Sequence, residues 1–331
     1  MRLLTSLLFL FSLTLLTSCD SDELDGLVSD WARKTDFAGT ARTGAVAFTL
    51  DGKAYVGTGF DGKNRLADFW QYTPESDSWT RVQDFPGVAR SGAVSFTANG
   101  KGYIGTGYDG TNNLRDFWQY DPTTDTWTQV ADFAGTARYG AIAMALENKG
   151  YIGGGFDGAY LKDFWQYDPA SDTWTEKPSF SGARRVNGFA FVVNGKGYVG
   201  GGLNNGILEA DLFEYTPGTS TWRNLKNLNS NDRNSGEYPS PRTYGTVFAV
   251  QDKAYLVGGT DGLTPTNNAS MKDVWVYNPA TDKWRELEAE NFSRSERESA
   301  IGFSIGDFGY LGLGRTGYTR YSDLWQLNIT K

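Results

Sequence analysis

With no histidine among 331 residues and a single cysteine, Cys19, the chain lacks the commonest general base and the commonest transition-metal ligand. Polar chemistry falls to carboxylates and guanidiniums, and these recur in register. Arginines stand at Arg42, Arg90, Arg138, Arg185, Arg242 and Arg297, each followed thirteen residues later by a tyrosine: Tyr55, Tyr103, Tyr151, Tyr198, Tyr255 and Tyr310. An aspartate comes next in every repeat: Asp68, Asp116, Asp163, Asp211, Asp273 and Asp323. Six arginines on one face could form an anion-binding mouth. Six matching aspartates argue instead for one bidentate Arg–Asp pair per repeat, because a ligand rarely makes six identical demands.

Positions that leave the pattern are better candidates for ligand chemistry, since the fold does not require them. Only the sixth repeat has an acid, Glu298, directly after its arginine; the others have Thr43, Ser91, Tyr139, Val186 and Thr243. Only the sixth has an arginine, Arg315, where the others have Phe60, Tyr108, Phe156, Leu203 and Thr260, and Tyr318 and Arg320 follow it. The candidate ligand-binding residues are therefore Arg297, Glu298, Arg315, Tyr318, Arg320 and Asp261. The fifth repeat carries two insertions, 226–241 and 263–272, so a ligand is expected over repeats four to six. The Asp-Gly pairs at 61, 109, 157 and 261 hint at calcium. The run Asp109-Gly110-Thr111-Asn112-Asn113, however, lacks the alternating oxygen ligands and terminal glutamate of an EF-hand loop. Turn formation explains it better. No metal and no cofactor is expected.

These residues must be positioned by the repeat itself. Asp116-Phe117-Trp118-Gln119-Tyr120-Asp121-Pro122, closed by Trp127, returns near Asp68 and Asp163 and more weakly near Asp211, Asp273 and Asp323. Tryptophans at 79, 127, 174 and 222 fall 47 or 48 residues apart, a period that signals a stacked or circular architecture. Each repeat reads as four short strands: a over 92–97, a tight Asn99-Gly100 turn, b over 102–107, c over 116–120, and d from Trp127. Asp121-Pro122 ends strand c, since proline cannot continue a central strand. The tyrosine and tryptophan columns are expected to fill the core. The sixth repeat stops at Leu327 without its tryptophan. The missing strand stands at the other end, where 30–39 (Asp-Trp-Ala-Arg-Lys-Thr-Asp-Phe-Ala-Gly) parallels 126–135 and would close the last repeat.

By its glycine pair, tyrosine and tryptophan in matching order and period, the chain resembles the Kelch repeat. The resemblance implies an all-β fold, a six-bladed β-propeller of four-stranded blades over 30–331, with an N-terminal strand closing the last blade. Strand parity then places the six arginines, the six strand-c aspartates and the b–c loops on one shared face. The tight a–b and c–d turns take the other.

The N-terminus bears on location. Arg2 precedes an apolar run from Leu3 to Leu16, shorter than the roughly 20 residues a spanning helix needs. Leu16-Thr17-Ser18-Cys19 resembles a bacterial lipobox. That implies a signal peptide over 1–18, lipidation of Cys19, an acidic tether over 19–29 and a place on the outer membrane of a bacterial cell envelope, exposed to the periplasm or the cell surface. The net charge of −8 argues against nucleic acid. The expected role is a monomeric, lipid-anchored binding module taking a protein, peptide or glycan at the propeller mouth. Two alternatives stand beside it. One is a sugar mutarotase or epimerase-like enzyme, by resemblance to the sialic acid mutarotase, with Glu298 and Arg297 or Arg315 as an acid–arginine pair. The other is a structural cell-surface adhesin. The copper–radical site of the galactose oxidase family needs histidine and a cysteine-crosslinked tyrosine, so that chemistry does not carry over.

Overall fold

The computed structural model describes residues 24, 26–229, 238–261, 270–287, 289–290 and 296–330. The segment expected to be a signal peptide, Cys19 and parts of both insertions, 230–237 and 263–269, lie outside the described residues. The first blade has strands a Val46–Leu50, b Lys53–Gly57, c Phe69–Thr73 and d Ser78–Val82, paired antiparallel in that order. Four further blades repeat this order, with a-strands Val94–Ala98, Ile142–Leu146, Phe189–Val193 and Thr246–Val250. The observed strands are five residues or shorter in these blades. Strand b ends before the glycine pair, because the first residue of that pair already has positive φ, at +62 in Gly154 and +58 in Thr106.

The sixth blade closes as the sequence predicts. Its strands are Ile301–Ile305, Phe308–Gly312, Leu324–Thr330 and the N-terminal Val28–Lys34. The last two pair antiparallel over seven residues, with Trp31 opposite Leu327. The N-terminal strand begins at Val28, inside the acidic segment, and Leu24 before it is buried at 1% exposure. A short strand not foreseen from the sequence, Ala289–Glu290, adds parallel to Ser29 and Asp30 and covers that outer edge.

Four-residue a–b turns explain the Asn-Gly pairs: Asn99 and Gly100 take φ of +50 and +71, the left-handed conformation a two-residue hairpin turn requires. The tyrosine column is buried throughout, from Tyr103 at 1% to Tyr55 and Tyr255 at 3%. Side chains of one blade pack on the next: Phe48, Tyr55 and Phe69 of the first blade meet Ile104 and Tyr120 of the second. The tryptophans seal the outer end of each interface, Trp127 edge-on to Phe69 at 5.1 Å and to Phe85 at 5.3 Å.

Neighbouring blades are also clipped at the rim. Asp125 Oδ1 accepts from the Tyr120 hydroxyl and from the Gln83 amide of the preceding blade, while the Trp127 indole donates back to Gln83 O. The same clip joins Thr35 of the N-terminal segment to Asp77 and Trp79, which fastens blade six to blade one. At the third-to-fourth seam Pro178 has no N–H to offer, and Ser220 stands where the aspartate would be. Only the indole bond from Trp222 to Pro178 O is kept there. The Tyr215 hydroxyl, whose counterparts donate to that aspartate, is left buried without a hydrogen-bond partner.

Candidate functional site

All six arginines of the repeat are at most 1% exposed, and each is held the same way. Arg138 donates from Nη1 to Asp163 Oδ1 at 2.6 Å and to Gly154 O at 2.9 Å, from Nη2 to Asp163 Oδ2 at 2.8 Å and Thr136 Oγ1 at 3.0 Å, and from Nε to Thr136 O at 2.9 Å. All five guanidinium donors are used. The bond to Gly154 O explains the positive φ after strand b: it turns that carbonyl onto the arginine, and the same contact recurs at Thr58, Thr106, Gly201, Gly258 and Leu313. In five blades an indole completes the aspartate, as Trp165 does for Asp163. The fourth blade has Phe213 in that place. There Arg185 Nη1 lies 2.6 Å from Asp211 Oδ1 without hydrogen-bond geometry, and that oxygen has no hydrogen-bond partner. The arginine ring is thus an internal tie between the d–a and b–c connections. Arg297, a candidate ligand residue from the sequence, is one of its members, paired with Asp323 at 2.9 and 3.0 Å and closed to solvent.

Above this layer lies the mouth. Its floor is a closed circle of backbone hydrogen bonds, in which Gly92 N donates to Gly44 O, Gly140 to Gly92, Asn187 to Gly140, Tyr244 to Asn187, Ser299 to Tyr244 and Gly44 to Ser299. All six residues have φ between +53 and +62. Around the circle each blade raises a ladder of three paired residues: Thr43–Phe60–Arg65, Ser91–Tyr108–Asn113, Tyr139–Phe156–Tyr160, Val186–Leu203–Leu208, Thr243–Thr260–Ser270 and Glu298–Arg315–Arg320. The two columns noted in the sequence, after the arginine and after the glycines, are therefore adjacent rungs of one ladder. The six ladders differ in character: blade three is aromatic, blade four aliphatic, blade five small hydroxyls, and blade six charged.

In blade six Glu298 and Arg315 meet. Their backbones exchange two hydrogen bonds of 3.0 Å, and Arg315 Nε and Nη2 both lie 2.7 Å from Glu298 Oε1. The sequence left open whether Glu298 pairs with Arg297 or Arg315, and the fold selects Arg315. Arg320 leans away, over Phe60 of blade one at 5.2 Å, where Gly62 leaves room: a Cβ there would stand 2.5 Å from Arg320 Nη1. Burial, with help from the nearby Arg315 charge, lowers the Arg320 pKa. Tyr318 caps the hairpin at 81% exposure. Asp261 is exposed and makes no hydrogen bond or ion pair with these groups among the described residues. The Asp-Gly loops are turns: Asp109 Oδ1 accepts from the amides of Thr111 and Asn112 at 2.7 and 2.6 Å, and these bonds hold its pKa below the ordinary value. Asp61 does the same with Lys63 and Asn64.

The mouth encloses a cavity of about 540 Å³, within the size range of small-ligand sites, lined by Phe60, Tyr108, Asn113, Tyr139, Phe156, Asp157, Asn187, Tyr244, Ser299 and Arg315 among others. Among the described residues its wall comes mostly from blades one to three. A chain of rings forms one side of it: Tyr108 to Tyr139 at 5.7 Å and Tyr139 to Phe156 at 5.7 Å, with Tyr160 behind Phe156 at 5.2 Å. Arg65 stacks between Phe60 and Tyr108 at 5.0 and 4.6 Å. Tyr244 rises from the floor. Desolvation first, and the Glu298 charge second, push its phenol up to about 12. Arg65, Tyr160 and Tyr244 carry no sign in the sequence. Tyr139 and Phe156 stood in recognised columns without an assigned role.

The Kelch motif matches residues 41–86, 89–134, 137–181 and 241–288, more than half the chain and four of the six blades. Among characterised proteins the chain is similar to Kelch-like protein 11 of Homo sapiens and of Mus musculus, 32% identical in each case over 75 residues. That stretch is 23% of this chain and 9% of those proteins, so the likeness concerns the repeat alone. In three dimensions the fold is similar to that in "Structure of YjhT", with a TM-score of 0.74 and 15% identity over 90% of this chain and 99% of the other. Taken with the six closed blades and their common arginine tie, the match makes this chain a member of the Kelch-motif family, folded as a six-bladed β-propeller.

Proposed function

We propose that the chain is a non-enzymatic binding propeller of the bacterial cell envelope, held to a membrane by lipid on Cys19, whose mouth receives the end of a glycan. Kelch propellers commonly serve as interaction modules. The observation that carries the reading is a cavity walled by the rings of Tyr108, Tyr139 and Phe156, with Tyr160 packed behind Phe156, and lined also by Asn113, Asp157, Asn187 and Ser299. Stacking faces and hydrogen-bonding groups on one cavity suit a ring-shaped ligand rich in hydroxyls. The floor circle spends its backbone N–H groups internally, which leaves recognition to side chains. The lipid anchor rests on Leu16-Thr17-Ser18-Cys19.

A mutarotase-like reading has less support: Glu298 is engaged by two atoms of Arg315, and a proton shuttle would have to break that pair. The test is calorimetric titration of the lipid-free chain with glucose, galactose, mannose, N-acetylglucosamine, glucuronate and their short oligomers, with peptides as a second arm. Binding of a sugar that Tyr139→Ala abolishes supports the reading. Binding only of peptides, or sugar binding indifferent to Tyr139→Ala, overturns it.

A further inference from the structure

The floor circle asks all six of its residues to adopt the left-handed conformation. Three positions answer with glycine, Gly44, Gly92 and Gly140, and a fourth with Asn187, the residues that tolerate positive φ best. Closeness adds to the preference at Gly140, where a Cβ would crowd Asn187 Oδ1 at 2.3 Å and Val186 Cγ2 at 2.6 Å. At the fifth position the chain has Tyr244, φ +57, a bulky residue in a conformation its Cβ disfavours. The sixth, Ser299 at φ +53, shares the conformation with a far smaller side chain. Strain of this kind persists only where the surrounding structure imposes it, as the arginine tie does at Thr58, Thr106 and Leu313, and it gathers at ligand sites; of the circle's residues Tyr244 alone brings a large ring to it.

Three further observations meet at this residue. Tyr244 is 36% exposed, and it faces the mouth cavity. Its hydroxyl has no hydrogen-bond partner among the described residues. It lines the same cavity as Tyr139 of blade three and Arg315 of blade six, and its carbonyl accepts from Ser299, the residue after Glu298, so it stands between the aromatic and the charged sides of the mouth. A tyrosine hydroxyl without a partner in the protein is free to donate to a ligand.

We propose that Tyr244 is the specificity-determining contact of the mouth, stacking against a sugar ring and donating its hydroxyl proton to a sugar oxygen, and that it is retained there against the preference of the fold. This rests on the reading of the mouth as a sugar site. It adds a claim that can fail separately: the residue that binds is the residue that strains.

Two measurements test it. The first needs no ligand. Tyr244→Gly and Tyr244→Ala remove the same ring, so their difference reports the backbone. At an ordinary position alanine is the more stable of the two. Here the glycine variant should melt about 1–3 °C above the alanine variant. An alanine variant equal or higher in melting temperature overturns the strain argument whatever the mouth binds.

The second uses the same sugar set. Tyr244→Phe should weaken binding by roughly threefold to tenfold, the loss of one hydrogen bond, and Tyr244→Gly by more. Should Tyr139→Ala abolish sugar binding while Tyr244→Gly and Tyr244→Phe leave it unchanged, the mouth reading stands and Tyr244 is not its contact. If no sugar in the set binds the native chain, the mouth reading and the proposal fall together.

Discussion

Replacing Arg138 by alanine removes five hydrogen bonds at one buried point, and the cost can be worked from the geometry. The arginine is buried, while its partner Asp163 keeps 25% of its side chain exposed. Breaking a buried charge pair costs about 3–5 kcal/mol, because the remaining charge is left unpaired. Two features hold the value near the lower end. Water reaches Asp163, and the Trp165 indole still donates to its Oδ2 at 2.8 Å. Against this, Gly154 O and Thr136 O lose their donor, and Phe133 loses the guanidinium stacked 4.8 Å from its ring centre, worth about 0.5–1 kcal/mol. The sum is about 3–4 kcal/mol. At roughly 1.5 °C per kcal/mol for a chain of this size, from about 2.1 cal/mol/K of unfolding entropy per residue, the melting temperature should fall by about 5–6 °C. Differential scanning calorimetry on native and variant protein reads this directly. Ligand affinity at the mouth, measured below the transition, should stay within a factor of two. A fall of less than about 2 °C would mean that the arginine ring does not tie the blades. Loss of binding with an unchanged melt would mean that the ring, and not the layer above it, is the ligand site.

Trp31→Ala should destabilise the whole domain by about 3–5 kcal/mol, since Trp31 is 2% exposed in the strand that closes blade six; chemical denaturation that matches the native curve would deny the closure. Acid should act through Asp68 and Asp116. Burial pushes their pKa values up, but hydrogen bonds and charge from Arg42 and Arg90, with indole bonds from Trp70 and Trp118, outweigh it, so both sit below the ordinary value. A folded pKa below the unfolded value of about 3.9 gives stability that is complete above that pH and lost as pH falls through the folded value. The melting temperature should thus hold down to about pH 5 and decline below about pH 4; a melt that is flat or rising between pH 5 and pH 2.5 contradicts the pairing. Arg315→Ala should weaken a mouth ligand by about 1.5–3 kcal/mol and also cost some stability, because Glu298, 11% exposed in its side chain, loses its partner; an unchanged affinity removes Arg315 from the site. Cys19→Ser should abolish partitioning into the detergent phase, and a variant that still partitions as the native chain does would end the lipoprotein reading.

The departures from the repeat were legible wherever a column exists to depart from. Glu298 and Arg315 stand out because five other blades show what the fold would otherwise put there, and the two do meet. Tyr160 and Arg65 have no such column. They sit on the returning side of b–c loops whose lengths differ between blades, so no fixed spacing marks them. Tyr244 follows the ring arginine by two, a position where four of six residues suit left-handed backbone. That rule becomes visible only once the hydrogen-bond circle is seen. The close likeness of blades one to three read as scaffold, yet the circle turns Phe60, Tyr108 and Phe156 toward one cavity.

The sequence by itself determined what is periodic and local. The spacing of arginine, tyrosine, aspartate and tryptophan fixed the blade. The Asn-Gly and Asp-Pro pairs fixed its turns, and the displaced Trp31 segment fixed how the circle closes. These follow because strand parity and turn conformation are set by residues near one another in the chain. The tertiary structure alone decided which departures share a site. Positions about fifty residues apart along the chain become neighbours only when six blades close, and the closing circle forces left-handed backbone on Tyr244 and stands it between Tyr139 and Glu298.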